Sequence, residues 1–172
     1  MRDLAISVRS LQPEDAEAYR AIRLEALERN PESFGSTLEA EVAQPLEWFA
    51  GRLRNSTVFG AFLRSELLGI AGFSAQTAAK QRHKGVLWGM YVRPSGRGFG
   101  VGRRLVAAVI EHARQHVEIL QLTVVSANEG ARRLYVDMGF AEYGVEERGL
   151  KWGGEYFDEV LMALFLTQAG GR

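Results

Sequence analysis

Apolar and polar positions change period along this chain, and the changes mark its elements. Alternation over residues 4–9 predicts a short first strand. Pro13 opens a helix with acids in its first turn, Pro13-Glu14-Asp15-Ala16-Glu17, which runs toward Arg29, where Asn30-Pro31 breaks it. Pro45-Leu46-Glu47-Trp48-Phe49 starts a second short helix that ends before Asn55. Residues 57–64 and 67–76 read as a hairpin around Ser65-Glu66, followed by a long strand, Lys84–Val92. Val101, Leu105, Val109 and Ala113 recur at i, i+4 with Arg104, Glu111 and Arg114 opposite, which predicts a helix from Val101 to about His116. Ile119–Val125 is mostly apolar and reads as a strand buried on both faces. Ser126-Ala127-Asn128-Glu129 has the Ser-x-x-Glu form of a capping box, ahead of a helix with Ala131, Leu134, Tyr135 and Met138 on one stripe. Gly139-Phe140 ends it. Residues 141–150 and 155–166 form a last hairpin across Gly153-Gly154, and residues 168–172 read as a frayed tail. The order is β-α-α-β-β-β-α-β-α-β-β, an α/β (α+β) chain without repeats.

Composition narrows the function classes. The 172 residues fit one domain, 1–172, and 47% hydrophobic with 24% charged residues argues against disorder. No apolar run approaches the roughly 18 residues of a membrane span, and the first nine residues read as a strand rather than a signal peptide, so a cytoplasmic protein is expected. Zero cysteines exclude disulfides, thiolate metal sites and a cysteine nucleophile. His83, His112 and His116 form no ligand set; the i, i+4 pair lacks the glutamate of an HExxH motif, and no metal is expected. Net charge is zero and the arginines gather at one loop, which argues against nucleic-acid binding.

That loop carries the chemistry. Leu87 to Val106 runs from an apolar strand through a Gly/Arg turn into an amphipathic helix. A helix N-terminus reached through glycines exposes unpaired N–H groups at the positive end of its dipole, a ready anion site, and Arg97, Arg103 and Arg104 add charge. No register gives Gly-x-Gly-x-x-Gly, and no Gly-x-x-x-x-Gly-Lys run exists. What is left is Arg97-x-x-Gly100-x-Gly102, which serves equally as a phosphate loop or as a purely structural turn.

Two separated motifs favour the phosphate loop. The strand ending Met90-Tyr91-Val92-Arg93-Pro94, the loop Arg97-Gly98-Phe99-Gly100-Val101-Gly102, and the block Asn128-Glu-Gly-Ala-Arg-Arg-Leu-Tyr135-x-x-x-Gly139-Phe140 together resemble the GNAT superfamily of acyl-CoA-dependent N-acyltransferases. The match covers residues 84–166 well and the front half in general layout. The resemblance implies a mixed, mostly antiparallel sheet of about seven strands, with an acceptor-side front half (about 1–80) and an acyl-CoA-binding half (about 84–166). It implies acetyl-CoA as acyl donor, held by Met90, Tyr91, Val92, Arg97, Gly98, Phe99, Gly100, Val101, Gly102, Arg103, Asn128 and Tyr135. It also implies a β-bulge near Met90-Tyr91 whose free N–H meets the oxyanion, and a homodimer.

The implied reaction is acetyl transfer to a primary amine of a small molecule or peptide. Without a cysteine or a Gly-x-Ser-x-Gly elbow, direct attack in a ternary complex is the expected route, since holding both reactants in attack geometry supplies about 7–11 kcal/mol. Tyr135 matches the family's general acid, and it also fits a core aromatic. Asn128 matches the residue that bonds the pantetheine arm, and it also fits a helix N-cap. Arg132 and Arg133 reach either phosphate or solvent. Glu25, Glu41 and His83 are candidate bases, behind a water relay. Trp48 and Trp88 either shape the acceptor pocket or pack the core. Residues 13–50 carry nine acids against three arginines; these favour a cationic acceptor or simply coat two solvated helices. A non-catalytic acyl-CoA sensor is the alternative function.

Overall fold

The computed structural model describes residues 5–166, so Leu4 of the first predicted strand and the tail 168–172 lie outside the described residues. Strand β1 (Ile6–Ser10) leads through a 3-10 turn at Pro13–Asp15 into α1 (Ala16–Arg29). Pro31–Ser33 form a second 3-10 turn where Asn30-Pro31 was expected to break the helix. Next come α2 (Leu38–Val42), α3 (Leu46–Asn55), β2 (Thr57–Leu63), β3 (Glu66–Ala75) and β4 (Lys84–Val92). The chain ends with α4 (Val101–Arg114), β5 (Ile119–Val125), α5 (Glu129–Asp137), β6 (Ala141–Trp152) and β7 (Glu155–Phe165). The sequence reading lacked only α2, a single turn whose start is capped by Thr37 accepting from the Ala40 amide.

The seven strands form one sheet in the order β1-β2-β3-β4-β5-β7-β6, antiparallel throughout except for β4 beside β5. This is the mixed, mostly antiparallel sheet that the family resemblance implied. Two cores flank it. Leu105, Val106, Val109 and Ile110 of α4 pack with Leu87, Leu120, Leu122 and Tyr135 on one face. Tyr19, Ile22 and Ala26 of α1 and Phe49 and Leu53 of α3 pack with Val58, Ile70 and Tyr91 on the other.

Strand β4 belongs to both cores because its phase changes halfway. Leu87 faces the α4 side and Tyr91, four residues on, faces the α1 side. An uninterrupted strand would put both on one face. Between them the register against β3 slips: Gly72 opposes Trp88 and Ile70 opposes Tyr91, so Gly89 and Met90 share Ala71. This is a β-bulge, and Gly89 takes its left-handed position with φ +64°. The bulge implied near Met90-Tyr91 is therefore present, one residue earlier.

Strand β5 corrects a second expectation. Leu120, Leu122 and Val124 are buried, but Ile119 and Gln121 are half-buried and Thr123 is exposed. The α4 face of β5 is covered along its length and the other face only at Val125, beside the Pro31–Ser33 turn, because α1 and α3 pack over β2, β3 and β4.

Replacing Gly89 by Ala forces a Cβ into the left-handed region without a clash, since the nearest atom, Arg23 Nη1, is 3.5 Å from the new carbon. Stability in urea is expected to fall by about 1–2 kcal/mol. Gly35→Ala, in open space, is expected to leave it within about 0.5 kcal/mol.

Candidate active site

Strands β4 and β5 pair over three residues only, Lys84, Gly85 and Val86 against Ile119, Leu120 and Gln121. Beyond that they diverge, so the edge of β4 from residue 87 to 92 has no strand partner on that side. The opening is a cleft with a cavity volume of about 410 Å³. It meets a smaller chamber of about 100 Å³ lined by Leu87, Trp88, Gly89, Thr123 and Val125. Met90, Asn128, Ala131, Tyr135, Ser33 and Phe34 line both.

The glycine loop closes one end. Gly98 (φ +81°) and Gly100 (φ +74°) adopt left-handed conformations that other residues resist. They turn the chain so that α4 begins with no side-chain cap. The first helical bond is Arg104 N–H to Gly100 O, at 3.1 Å. Among the described residues, the amides of 98–103 find no protein acceptor, so a run of N–H groups points outward at the positive end of a 14-residue helix. At Gly102 a Cβ would come within 3.2 Å of the side-chain ends of both Leu134 and Met90, which would have to give way.

Helix α5 forms the other wall. The structure corrects the predicted capping box: Asn128, not Ser126, is the N-cap, its Oδ1 accepting from the Ala131 amide at 3.2 Å. Ser126 is held at the sheet instead, its N–H on Asp158 O at 2.9 Å and its C=O on Arg132 at 2.9 Å. Tyr135 is 5% exposed and packs edge-on to Phe140. Burial pushes its phenol well above the ordinary value, so it keeps its proton at neutral pH. Its hydroxyl has no protein partner, and no fully buried polar side-chain atom lacks one among the described residues, so that oxygen touches the cleft.

The predicted site residues thus divide. Met90, Tyr91, Val92, Arg97, Gly102, Asn128 and Tyr135 line the cleft, and residues 98–101 form its glycine mouth. Tyr91 offers its backbone only, since its side chain turns to the α1 side and its hydroxyl donates to Glu25 at 2.8 Å. Val101 is buried in the core. Arg103 reaches back to Asp137 at 3.8 Å, and Arg104 bonds Ile6 O at 3.1 Å, far from the mouth. Arg132 pairs with Glu142 and Arg133 is exposed. His112 and His116 stack on each other against Phe73.

None of the nine front-half acids lines the cleft. Asp15 pairs with Arg9, Glu47 with Arg54, and Glu25 with Arg93 as well as Tyr91. Glu41, 2% exposed, takes Arg23 through both carboxylate oxygens at 2.9 Å and has Arg52 at 3.5 Å. Burial alone would raise its carboxyl, but the bonds and charge of Arg23 and the charge of Arg52 outweigh it and hold it below the usual range. His83 is exposed, just ahead of the paired N-terminal end of β4. Trp88 lines the small chamber with its Nε1 donating to Ser74 at 2.8 Å, while Trp48 packs on Phe49. Sequence reasoning missed Ser33, Phe34 and Thr123, whose only signal was the Asn30-Pro31 break that delivers the first two.

A parted parallel strand pair and an uncapped glycine-led helix thus border one cleft. Comparison makes this specific: residues 19–140 match the model of the acetyltransferase (GNAT) family, and the chain belongs to that family. It is 30% identical over 149 residues to a mycothiol acetyltransferase of Thermobispora bispora, covering 82% of this chain and 48% of that one. It therefore spans about half the length of the curated relatives it matches. An acetyltransferase of the GNAT family from Streptococcus pneumoniae superposes with a TM-score of 0.83 at 26% identity, covering 94% of this chain and 99% of that one. A ribosomal-protein-alanine N-acetyltransferase from Brucella melitensis gives 0.77 at 28% identity over 93% and 99%.

Glu41→Gln leaves Arg23 buried without its counter-charge and is expected to lower stability at pH 7 by about 3–5 kcal/mol. Because the folded-state pKa lies below the ordinary 4.5, the wild-type advantage is complete above that value. It is lost as pH falls through the lower folded value. Urea melts of both proteins from pH 7 to pH 3 check the convergence.

Proposed function

We propose that this protein is an N-acetyltransferase that moves an acetyl group from acetyl-CoA to a primary amine of a small molecule or peptide, by direct attack while both are bound. One observation carries the reading: the unpaired edge of β4 runs straight toward the free amides of residues 98–103. When bound, acetyl-CoA supplies the acetyl group as an activated thioester. The amides of 98–103, with Arg97, suit its diphosphate. The open edge of β4 offers alternating N–H and C=O groups to its amide-bearing arm, much as an added strand would take them. Asn128 spends Oδ1 on the helix cap and keeps its amide N–H₂ for the same arm.

At the far end of that edge, the bulge at Gly89-Met90 breaks the ladder and supports a backbone N–H as the fixed donor for the developing oxyanion. Tyr135 touches the same chamber with a phenol that stays protonated, which suits donation to the departing sulfur. A phenol is a weaker acid than a thiol, so the transfer has to accompany C–S cleavage rather than precede it. Glu25, Glu41 and His83 all lie off the cleft, which supports loss of the amine proton through water. The absence of cysteine supports direct attack over an acyl-thiol enzyme. The reading includes the cytoplasmic homodimer that the family implies; among the described residues no helix is long and apolar enough to cross a membrane.

Tyr135→Phe removes the proton donor and keeps the packing on Phe140. Thiol release from acetyl-CoA with an amine acceptor is expected to fall by about 100-fold or more, with the calorimetric affinity for acetyl-CoA unchanged. An equal rate in the variant removes the acid role.

A further inference from the structure

Arg23 is 6% exposed and commits two of its three nitrogens, Nε and Nη2, to Glu41. The third, Nη1, has no protein acceptor among the described residues. Among the described residues no fully buried side-chain nitrogen is left without a partner, so Nη1 keeps an edge of solvent. Its position is fixed by Gly89: a Cβ built on that glycine would stand 3.5 Å from Nη1. Gly89 is the bulge residue that lines the small chamber, and it puts no side chain between the nitrogen and that chamber. Phe34, 5.3 Å from the guanidinium carbon, covers the ring-facing side and lines the same chamber.

The local charge is unbalanced. Arg52 also leans on Glu41, so two guanidiniums share one carboxylate. Arg52 lies between the rings of Trp48 (4.2 Å) and Trp88 (5.5 Å), with its Nη1 on the Tyr19 oxygen. Glu25 is taken by Tyr91 and Arg93, and no carboxylate lines the chamber. Arg23 therefore keeps one donor free directly beside Gly89, at the point of the strand where the acyl group would sit.

We propose that Arg23 holds a carboxylate of the acceptor, which makes the acceptor an α-amino acid or an equally compact amine with an anionic group beside its reactive nitrogen. This rests on the acetyltransferase reading and reverses the charge expected from the acidic front half. In an α-amino acid the carboxylate carbon is two bonds from the nitrogen, so one ion pair at the bulge places the amine beside the thioester carbon. A planar guanidinium with a free donor selects carboxylate strongly. Its charge also makes a nearby ammonium easier to deprotonate, which helps a site without a side-chain base. Phe34, Leu87, Trp88 and Val125 leave an apolar wall for the remainder.

The test is thiol release from acetyl-CoA by the wild-type protein with the standard L-α-amino acids, the matching L-α-amino acid amides, and spermidine. Each amide keeps the amine and lacks only the anion. At least one acid is expected to exceed its own amide in kcat/KM by about tenfold or more, and Arg23→Lys to raise KM for that acid by a similar factor with a smaller change in kcat. Should that variant not fold, the doubly neutral Arg23→Met with Glu41→Gln replaces it, and the wild-type ratio stands by itself. Amides or spermidine matching or beating the acids overturns the proposal. So does a protein whose melting temperature rises with acetyl-CoA but which acetylates no amino acid, an outcome that leaves the acetyltransferase reading standing. No rise with acetyl-CoA overturns both.

Discussion

Everything specific about this molecule depends on β4 and β5 parting after three paired residues. Strand backbones carry a donor and an acceptor at every position, and burying them unpaired is costly. A sheet that opens in its middle therefore needs either water or a ligand with its own amide groups along the exposed edge. The bulge at Gly89-Met90 reinforces the opening by twisting β4 just beyond its last pairing with β5. Helix α4 starts where that edge ends, so backbone groups alone build a track leading to an anion-ready terminus.

Side chains then decorate a site the main chain has already shaped. The same bulge that frees the edge also swaps the faces of β4, sending Tyr91 to the α1 core and keeping Met90 and Val92 against the α4 core. It places Gly89 against Arg23, so the ion-pair cluster of Arg23, Glu41 and Arg52 abuts the cleft through a glycine. Tyr135 sits across the opening on α5, with a helix capped by the very asparagine that lines the cleft. One inserted residue thus links the strand's two faces, the ion-pair cluster and the cleft.

Much of this was legible in the chain, and the limits have physical causes. The i, i+4 pattern placed α4, and apolar runs placed β4 and β5, nearly to the residue, while glycine at Gly98, Gly100 and Gly139 marked the turns that need left-handed backbone. The Asn128 cap was one of two local options. Ser126 lost because its amide extends the sheet to Asp158, a partner 32 residues away. Glu25 and Glu41 read as candidate bases because their arginine partners come from other elements: Arg93 is 68 residues from Glu25, and Arg23 lies on a different helix from Glu41. Thr123 carries no pattern at all; the fold alone brings it to the cleft.

The central claim is that the main-chain amides of residues 98–103 grip a diphosphate and so align a thioester along the free edge of β4. Calorimetry with acetyl-CoA and with S-acetylpantetheine, which keeps the arm and thioester but lacks the diphosphate, tests it directly. The expected result is saturable heat for acetyl-CoA, affinity lower by about 100-fold or more for the truncated thioester, which also lacks the nucleotide, and recovery of part of that loss with S-acetyl-4′-phosphopantetheine, which restores one phosphate without the nucleotide. Equal affinity for acetyl-CoA and S-acetylpantetheine, or no heat for acetyl-CoA at millimolar concentration, contradicts it.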